Sequence, residues 1–316
     1  MNASSGSCIF ADIDSYQEGF GQTLDLLLTG PRHFHARLTW VNLATLRLVR
    51  AQEAAPRAAR LSLPPEPVFV TFPTQRGSPL FYDGVALRFG DIMFHSPGER
   101  LYQRTTAACR WGWIALTAAS LRAVGATVAG QDLVPPSAGR MLRPLPADWR
   151  KLLRLHAQAS RIAETRLDHI GHPEVARALD QDLIWAFVTC LTVGKSLDGP
   201  AARGSQSELM ARFEALLAAR HHHLLRTPDA CRALGVSERT LRTSCSEVLG
   251  MSPSRYQRLR RLKLVRQELL RARPAEGSVA EVVGRYGFAD FDDFVTEYRN
   301  AHGETPSHAR RGGAGR

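Results

Sequence analysis

The spacing of apolar residues changes character twice along this chain. From Phe34 to about Thr117, apolar and polar residues alternate in short runs, the period of half-buried strands. FHARLTWVNLATLRLVRAQ alternates through Leu38, Trp40, Leu43 and Leu46 and predicts two strands. LSLPPEPVFVTFP, the run at Leu80–Tyr82, GVALRFGDIMFHSPGE and CRWGWIALT continue in β-prone pieces separated by Pro, Gly and Asp. Many short strands with such turns predict a small barrel or sandwich. Ahead of them, SYQEGFGQTLDLLLTG suits either a strand or a short helix. After them a short helix from Ser120 closes the β-rich part, and VPPSAGRMLRPLP reads as a loop. Trp40, Trp111 and Trp113 are aromatic pocket candidates, with core packing as the plainer reading.

From Ala147 the period becomes helical. DWRKLLRLHAQASRIAE sets Trp149, Leu152, Leu153 and Leu155 or His156 on one side. EVARALDQDLIWAFVTCLTVG does the same with Val175, Leu179, Leu183, Ala186 and Cys190. Two amphipathic helices over 147–195 predict a dimer contact or packing against their own domain. KSLDGPAARGSQS is rich in Gly, Ser and Ala and reads as a linker over 196–206.

The second change comes after the linker. In TPDACRALGVSERTLRTSCSEVLGMSPSRY, Thr227-Pro228 is a helix start and carries Cys231 and Leu234 inward. Gly235 ends that helix, because glycine takes a positive φ without steric cost. Val236 plugs the turn and Ser237 caps a second helix with Leu241, Cys245 and Val248 or Leu249 at helical spacing. Glu238, Arg239, Thr240, Arg242 and Thr243 fall on its outward face. Two short helices about a glycine turn, the second with a polar and basic face, make the helix-turn-helix pattern.

Ser252-Pro253 starts a further helix with Tyr256, Leu259, Leu262, Val265 and Leu269 on one face. Arg255, Arg258, Arg260, Arg261, Lys263, Arg266, Arg271 and Arg273 fill much of the rest, against Glu268 alone. So one-sided a charge run suits a phosphate backbone. Then the two-helix pattern returns. Ser278 and Glu281 form a capping box, Gly287-Phe288 break the helix, and Phe294 and Tyr298 repeat the roles of Leu241 and Cys245. Gly250-Met251-Ser252-Pro253 is echoed by Gly303-Glu304-Thr305-Pro306.

Two such units joined by a basic helix resemble the DNA-binding domain of the AraC/XylS family of bacterial transcription regulators. Leu234-Gly235-Val236-Ser237, Leu241, Gly250, Ser252-Pro253, Tyr256, Arg261-Leu262, Leu269-Leu270, Gly287-Phe288, Phe294, Tyr298, Gly303 and Thr305-Pro306 carry the resemblance. It departs at Thr243 and Cys245, where the family usually has Arg and an aromatic, and at Val283, where a small residue is usual. The resemblance implies double-stranded DNA and RNA polymerase as partners. It also implies a cupin-like N-terminal barrel that senses a small-molecule effector, whose binding residues are not identified. The DNA-contacting residues are expected to be Ser237, Arg239, Thr240, Arg242 and Thr243, with Arg255, Arg258 and Arg261 on phosphates or polymerase, and Phe291 and Asp292 from the second unit. Asp290, Asp292, Asp293 and Glu297 are unfavourable against a polyanion and make base reading by the second unit doubtful.

Composition narrows the classes. A net charge of +11 favours anionic partners without choosing among them. Cys8, Cys109, Cys190, Cys231 and Cys245 are odd in number and form no CxxC, against a disulfide framework or structural zinc. With no leader-like start and no long apolar run, a bacterial cytoplasm, at the nucleoid, is expected. His33-x-His35 has the spacing of a metal pair but lacks a nearby carboxylate. His221-His222-His223 point in different directions on a helix, so no metal or other cofactor is expected. No catalytic motif is present, so an enzyme is not expected.

The fold expected is α+β: a mostly-β N-terminal domain, cupin-like barrel or sandwich, over 1–146, a helical hairpin over 147–195, the linker, and an all-α DNA-binding domain over 207–310. The helix-turn-helix units lie at 227–248 and 278–301. The function expected is a sequence-specific regulator of transcription. A cupin-type enzyme fused to a DNA-binding module, and a helical protein-interaction module, are the alternatives.

Overall fold

The structure, a computed structural model of the 316-residue chain, describes residues 4–20, 23–30, 34–165, 172–197, 201–220, 225–271 and 278–313. The chain forms two compact units, one of Met1–Leu26 with Phe34–Pro200 and one of Leu27–His33 with Ala201–Arg316.

The first unit runs β1 (Ser4–Phe10), α1 (Ile13–Glu18), β2 (Leu24–Leu28), β3 (Ala36–Asn42), β4 (Arg47–Glu53), β5 (Arg57–Ser62), β6 (Val68–Pro73), β7 (Leu80–Tyr82), β8 (Val85–Leu87), β9 (Ile92–Phe94), β10 (Arg100–Arg104), β11 (Cys109–Leu116), α2 (Ala118–Ala129), β12 (Arg140–Arg143), α3 (Pro146–Thr165), α4 (Pro173–Thr192) and β13 (Lys195–Ser196). An eight-stranded sheet has the order β1-β3-β4-β11-β6-β9-β12-β13, and a five-stranded sheet the order β2-β5-β10-β7-β8. Neighbours such as β3, β4 and β11 pair antiparallel. Alternation along these strands sorts their side chains into two faces. One face of the large sheet puts Val41, Leu46, Leu48, Ile114 and Leu116 into a core with Trp149, Leu152 and Leu155 of α3 and Leu183 and Phe187 of α4. Asp180 of α4 accepts from the Thr45 amide at 3.1 Å and so ties that helix to the β3–β4 turn.

Polar groups link the two sheets. Arg57 of β5 donates to Glu53 of β4 through Nε (2.9 Å) and Nη2 (3.1 Å). Tyr16 Oη and Trp111 Nε1 donate to the same carboxylate at 2.8 and 2.9 Å. Further along, Thr71 Oγ1 lies 2.9 Å from both Tyr82 Oη and His95 Nε2, and Gln103 donates to Tyr82 Oη at 2.5 Å. Trp111 is buried and Trp113 packs edge-on against Phe69, so both belong to the packing of the unit.

Four expectations change. The loop VPPSAGRMLRPLP contains β12, which pairs with β9 and buries Met141 and Leu142. Two apolar residues between arginines are too few for alternation to register. The ambiguous stretch before Gly30 holds both a helix, α1, and a strand, β2. The buried stripes of α3 and α4 pack against the chain's own sheet, while Val175, expected in register with the α4 stripe, and Trp185 stand exposed. The expected linker is helical from Ala201, because Ala, Arg, Gln and Ser are compatible with a helix that tertiary packing extends. Its residues 198–200 lie outside the described set.

The second unit is helical: α5 (Ala201–Ala219), α6 (Thr227–Leu234), α7 (Glu238–Leu249), α8 (Pro253–Arg271), α9 (Val279–Arg285), α10 (Phe291–His302) and α11 (Pro306–Gly313). Met210 and Phe213 of α5, Leu234 of α6, Leu241, Cys245 and Val248 of α7 and Tyr256 of α8 are buried. Leu262, Val265 and Leu269 of α8 form a further core with Val282, Val283, Tyr286, Phe294, Tyr298 and Ala309.

One glycine of the first unit is fixed by close approach. A Cβ on Gly112 would stand 2.8 Å from the His156 ring and 3.0 Å from the Val49 carbonyl. His156 Nε2 donates to that same carbonyl at 3.0 Å. Burial, and secondarily Arg50, push this histidine down to about 4 against the opposing hydrogen bond to Val49, so it stays neutral at physiological pH. Gly112→Ala should destabilise the unit by ~1–3 kcal/mol through overpacking. Thermal denaturation of the variant checks this; an unchanged melting temperature would mean that His156 can move aside.

Candidate nucleic-acid interface

Local capping builds each reading helix. Gly235 takes φ +69° at the end of α6, and Ser237 Oγ accepts from the Thr240 amide at 3.0 Å at the start of α7. In the second unit Ser278 and Glu281 make the reciprocal capping box, Gly287 takes φ +69°, and Asp290 accepts from the Asp293 amide at 2.9 Å. The start of α6 differs from expectation by one residue. Arg226 stands at the cap position without a side-chain cap bond, and Thr227 is already helical, its hydroxyl 3.3 Å from that of Ser254.

On α7 the structure brings Ser237, Arg239, Thr240, Arg242 and Thr243 together on one exposed surface. Arg242 is held by Glu238 one turn earlier, Nη2 to Oε2 3.0 Å. Arg239 has no carboxylate in ion-pair range among the described residues. On α10 the equivalent surface carries exposed Phe291, Asp292, Asp293 and Thr296. Superposing the two repeats by their buried residues, Leu241 on Phe294 and Cys245 on Tyr298, sets Asp292 where the first unit has Arg239. Thr243 and Thr296 then correspond, and Arg299 corresponds to Ser246. Arg299 is exposed, sits on the same face as Asp292 and Thr296, and was not among the sequence candidates.

Helix α8 departs furthest from expectation. Arg261 is buried, its guanidinium 4.5 Å from the Phe288 ring centroid, and Nε and Nη2 make no hydrogen bond. Burial, then Arg258, lowers its pKa. It is therefore part of the packing, and its place among outward DNA contacts is corrected. Lys263 and Arg266 are buried too. Arg258 pairs with Glu297 of α10, Arg260 with Glu214 of α5 at 3.2 Å, and Arg266 with Glu304. The run that is one-signed along α8 is thus balanced by acids distant in sequence. Arg255 and Arg271 remain exposed, and Arg255 donates to the Thr29 carbonyl at 3.0 Å. Arg273 lies outside the described residues.

Among the described residues no group of three or more His, Cys, Asp or Glu side chains is arranged to hold a metal. His35 stands exposed; His33 and His221-His222-His223 lie outside the described residues. No described helix is long and apolar enough to cross a membrane.

Residues 230–312 match the family model described as a helix-turn-helix domain. The "Probable thc operon regulatory protein" of Rhodococcus erythropolis is 36% identical over 87 residues, 28% of this chain and 26% of that protein. The helix-turn-helix domain over 230–312 is of the AraC/XylS type. The chain spans about a quarter of the curated relative's length in that match. Among solved structures, the AraC-like transcriptional activator CuxR is 17% identical, with a TM-score of 0.45 over 83% of this chain and 96% of its own. An AraC-type DNA-binding regulator from Chromobacterium violaceum is 31% identical, with a TM-score of 0.32 over 35% of this chain and 96% of its own. ToxT from Vibrio cholerae is 10% identical, with a TM-score of 0.31 over 98% of each chain.

Two substitutions separate packing from capping in this AraC/XylS-type domain. Ser237→Ala removes the α7 cap and should cost ~1 kcal/mol. Arg261→Met removes a buried charge with two unpartnered nitrogens and should leave the melting temperature unchanged or higher. A marked fall for Arg261→Met would mean that its stacking on Phe288 outweighs the burial of its charge.

Proposed function

We propose that this chain is a sequence-specific DNA-binding regulator of transcription, with its first helix-turn-helix unit as the principal reader of bases. The observation that carries the proposal is the exposed Arg239 at the position where the second unit has Asp292. A guanidinium can grip guanine O6 and N7 together, worth ~1–3 kcal/mol of discrimination, whereas a carboxylate can only accept, chiefly from cytosine N4. The curated relative carries the name of an operon regulator, and the same role is proposed for this chain.

In this reading Ser237, Thr240 and Thr243 join Arg239 and Arg242 at the base edges, and Arg255 binds phosphate. Helix α8, at 1.5 Å per residue about 28 Å long, spaces the two units for grooves ~34 Å apart. Arg258 acts mainly through Glu297, holding α10 in place. Phe291 and Asp292 face the second groove with weak base preference. RNA polymerase and a second copy of the chain are the protein partners that the reading implies, and the N-terminal β-rich unit is its effector-sensing part.

The test is a competition assay of the full chain against a library of operator variants at several salt concentrations. Affinity should fall steeply with salt, because each phosphate contact releases counterions. Arg239→Ala should weaken specific binding by ~1–3 kcal/mol and relax one base position. Arg242→Ala should act in the same direction but less, since Glu238 already holds that guanidinium. Asp292→Ala should change affinity little or strengthen non-specific binding. Salt-independent binding, or loss of specificity from Asp292→Ala with Arg239→Ala intact, contradicts the reading.

A further inference from the structure

A cavity of about 560 Å³ opens at one end of the large sheet, lined by the start of β3, the end of β4, the start of β11 and the turn after β6. Its lining includes His35, Arg37, Gln52, Arg76 and Arg110. Strand register sets Arg37 directly opposite Gln52, and Gln52 directly opposite Arg110. Directly opposed residues leave the same face, and with strands ~4.8 Å apart the two arginine positions stand ~10 Å apart, an amide between them. Arg76 comes from the turn, its guanidinium 5.2 Å from the Phe89 ring centroid.

The charge of this cavity is uncompensated. Among the described residues of the lining Glu53 is the one carboxylate, and it accepts from Arg57, Tyr16 and Trp111 behind the wall. Burial works to raise the Glu53 carboxyl, but Arg57 and these hydrogen bonds outweigh it and hold it below the ordinary carboxylate range. Among the described residues no carboxylate lies in ion-pair range of Arg37, Arg76 or Arg110. One pair further along β4, Arg50 keeps its Nε buried without a hydrogen bond, with the Glu164 carboxylate close enough to favour its charge. Like charges gathered on neighbouring strands repel. An anion seated among them removes that cost, and guanidinium forks match carboxylate and phosphate oxygens.

We propose that this cavity binds a small organic anion, its oxyanion group held over Gln52 between Arg37 and Arg110, with Arg76 and His35 at the rim. The proposal rests on the first unit being the effector-sensing part of the regulator, and it names the ligand class and the site. A carboxylate and a phosphate present the same chemistry here, so both are probed.

The test is thermal shift and calorimetry of the full chain with succinate, citrate and glucose 6-phosphate at matched ionic strength, with glucose as the uncharged control. A binding anion at ~100 times its Kd should raise the melting temperature by about 5 °C, and glucose should not. Preference for citrate or succinate identifies a carboxylate ligand; preference for glucose 6-phosphate identifies a phosphate ester. R37Q and R110Q should each weaken that binding about tenfold or more, while R122Q, on α2 outside the lining, should not. If a glutamine variant fails to fold, R110K keeps the charge without the planar fork and should still bind more weakly. The proposal is overturned if none of the three anions binds, or if binding is equal in wild type and in the cavity variants. DNA binding measured on the same preparations keeps the two readings apart. Failure of anions alone overturns this proposal, and failure of DNA binding alone overturns the regulator reading.

Discussion

Helix α8 has to serve as core for two helical pairs at once. Its start packs Tyr256 beside Phe213 of α5, and its later turns bury Leu262, Val265 and Leu269 against α9, α10 and α11. A helix buried on so much of its circumference cannot keep all its cations in water. Arg260, Arg261, Lys263 and Arg266 are drawn into the packing, where long stems cover apolar surface and heads need partners. Glu214 partners Arg260 and Glu304 partners Arg266, Glu297 holds the more exposed Arg258, and Arg261 lies over the Phe288 ring instead. Removing one member of a buried pair leaves a charge stranded, so these ion pairs fix which helices meet α8. What remains for DNA is narrower than the charge run implies: the outward faces of α7 and α10, with Arg255 and Arg271 beside them.

This division explains what could be read from residues alone. Caps and turns are local, so Ser237, Gly235, Ser278 with Glu281 and Gly287 declare themselves within a few positions. Buried stripes repeat at helical spacing, so Leu241 with Cys245 and Phe294 with Tyr298 are legible too. Charge compensation is not local. The acid that balances Arg260 lies on α5, and the ring that covers Arg261 lies beyond α9, at separations no helical period reports. The cavity arginines were hidden for the same reason. Arg37 and Arg110 become neighbours only once β4 lies between their strands. β12 was missed because its apolar pair is too short to set a period.

The first unit draws its cohesion from two sources. Its large sheet buries one face under α3 and α4 by ordinary apolar packing, close enough at Gly112 to exclude a methyl group. Its two sheets are joined by hydrogen-bonded polar groups about Glu53 and about Tyr82. The Glu53 carboxylate accepts from Arg57, Tyr16 and Trp111, while Arg57 Nη1 stays buried without a hydrogen bond. Burial, reinforced by Glu53, also pushes the Cys109 thiol well above its ordinary range, which leaves it a poor nucleophile at the cavity wall.

The central claim is that one scaffold, used twice, reads DNA unequally because Arg239 and Asp292 occupy the same place in the two units. The most direct measurement is the base-by-base information content of sites selected by the full chain from random DNA. The account predicts a strong preference within one major-groove half-site and weak preference one helical turn away. Equal information in the two half-sites would contradict it.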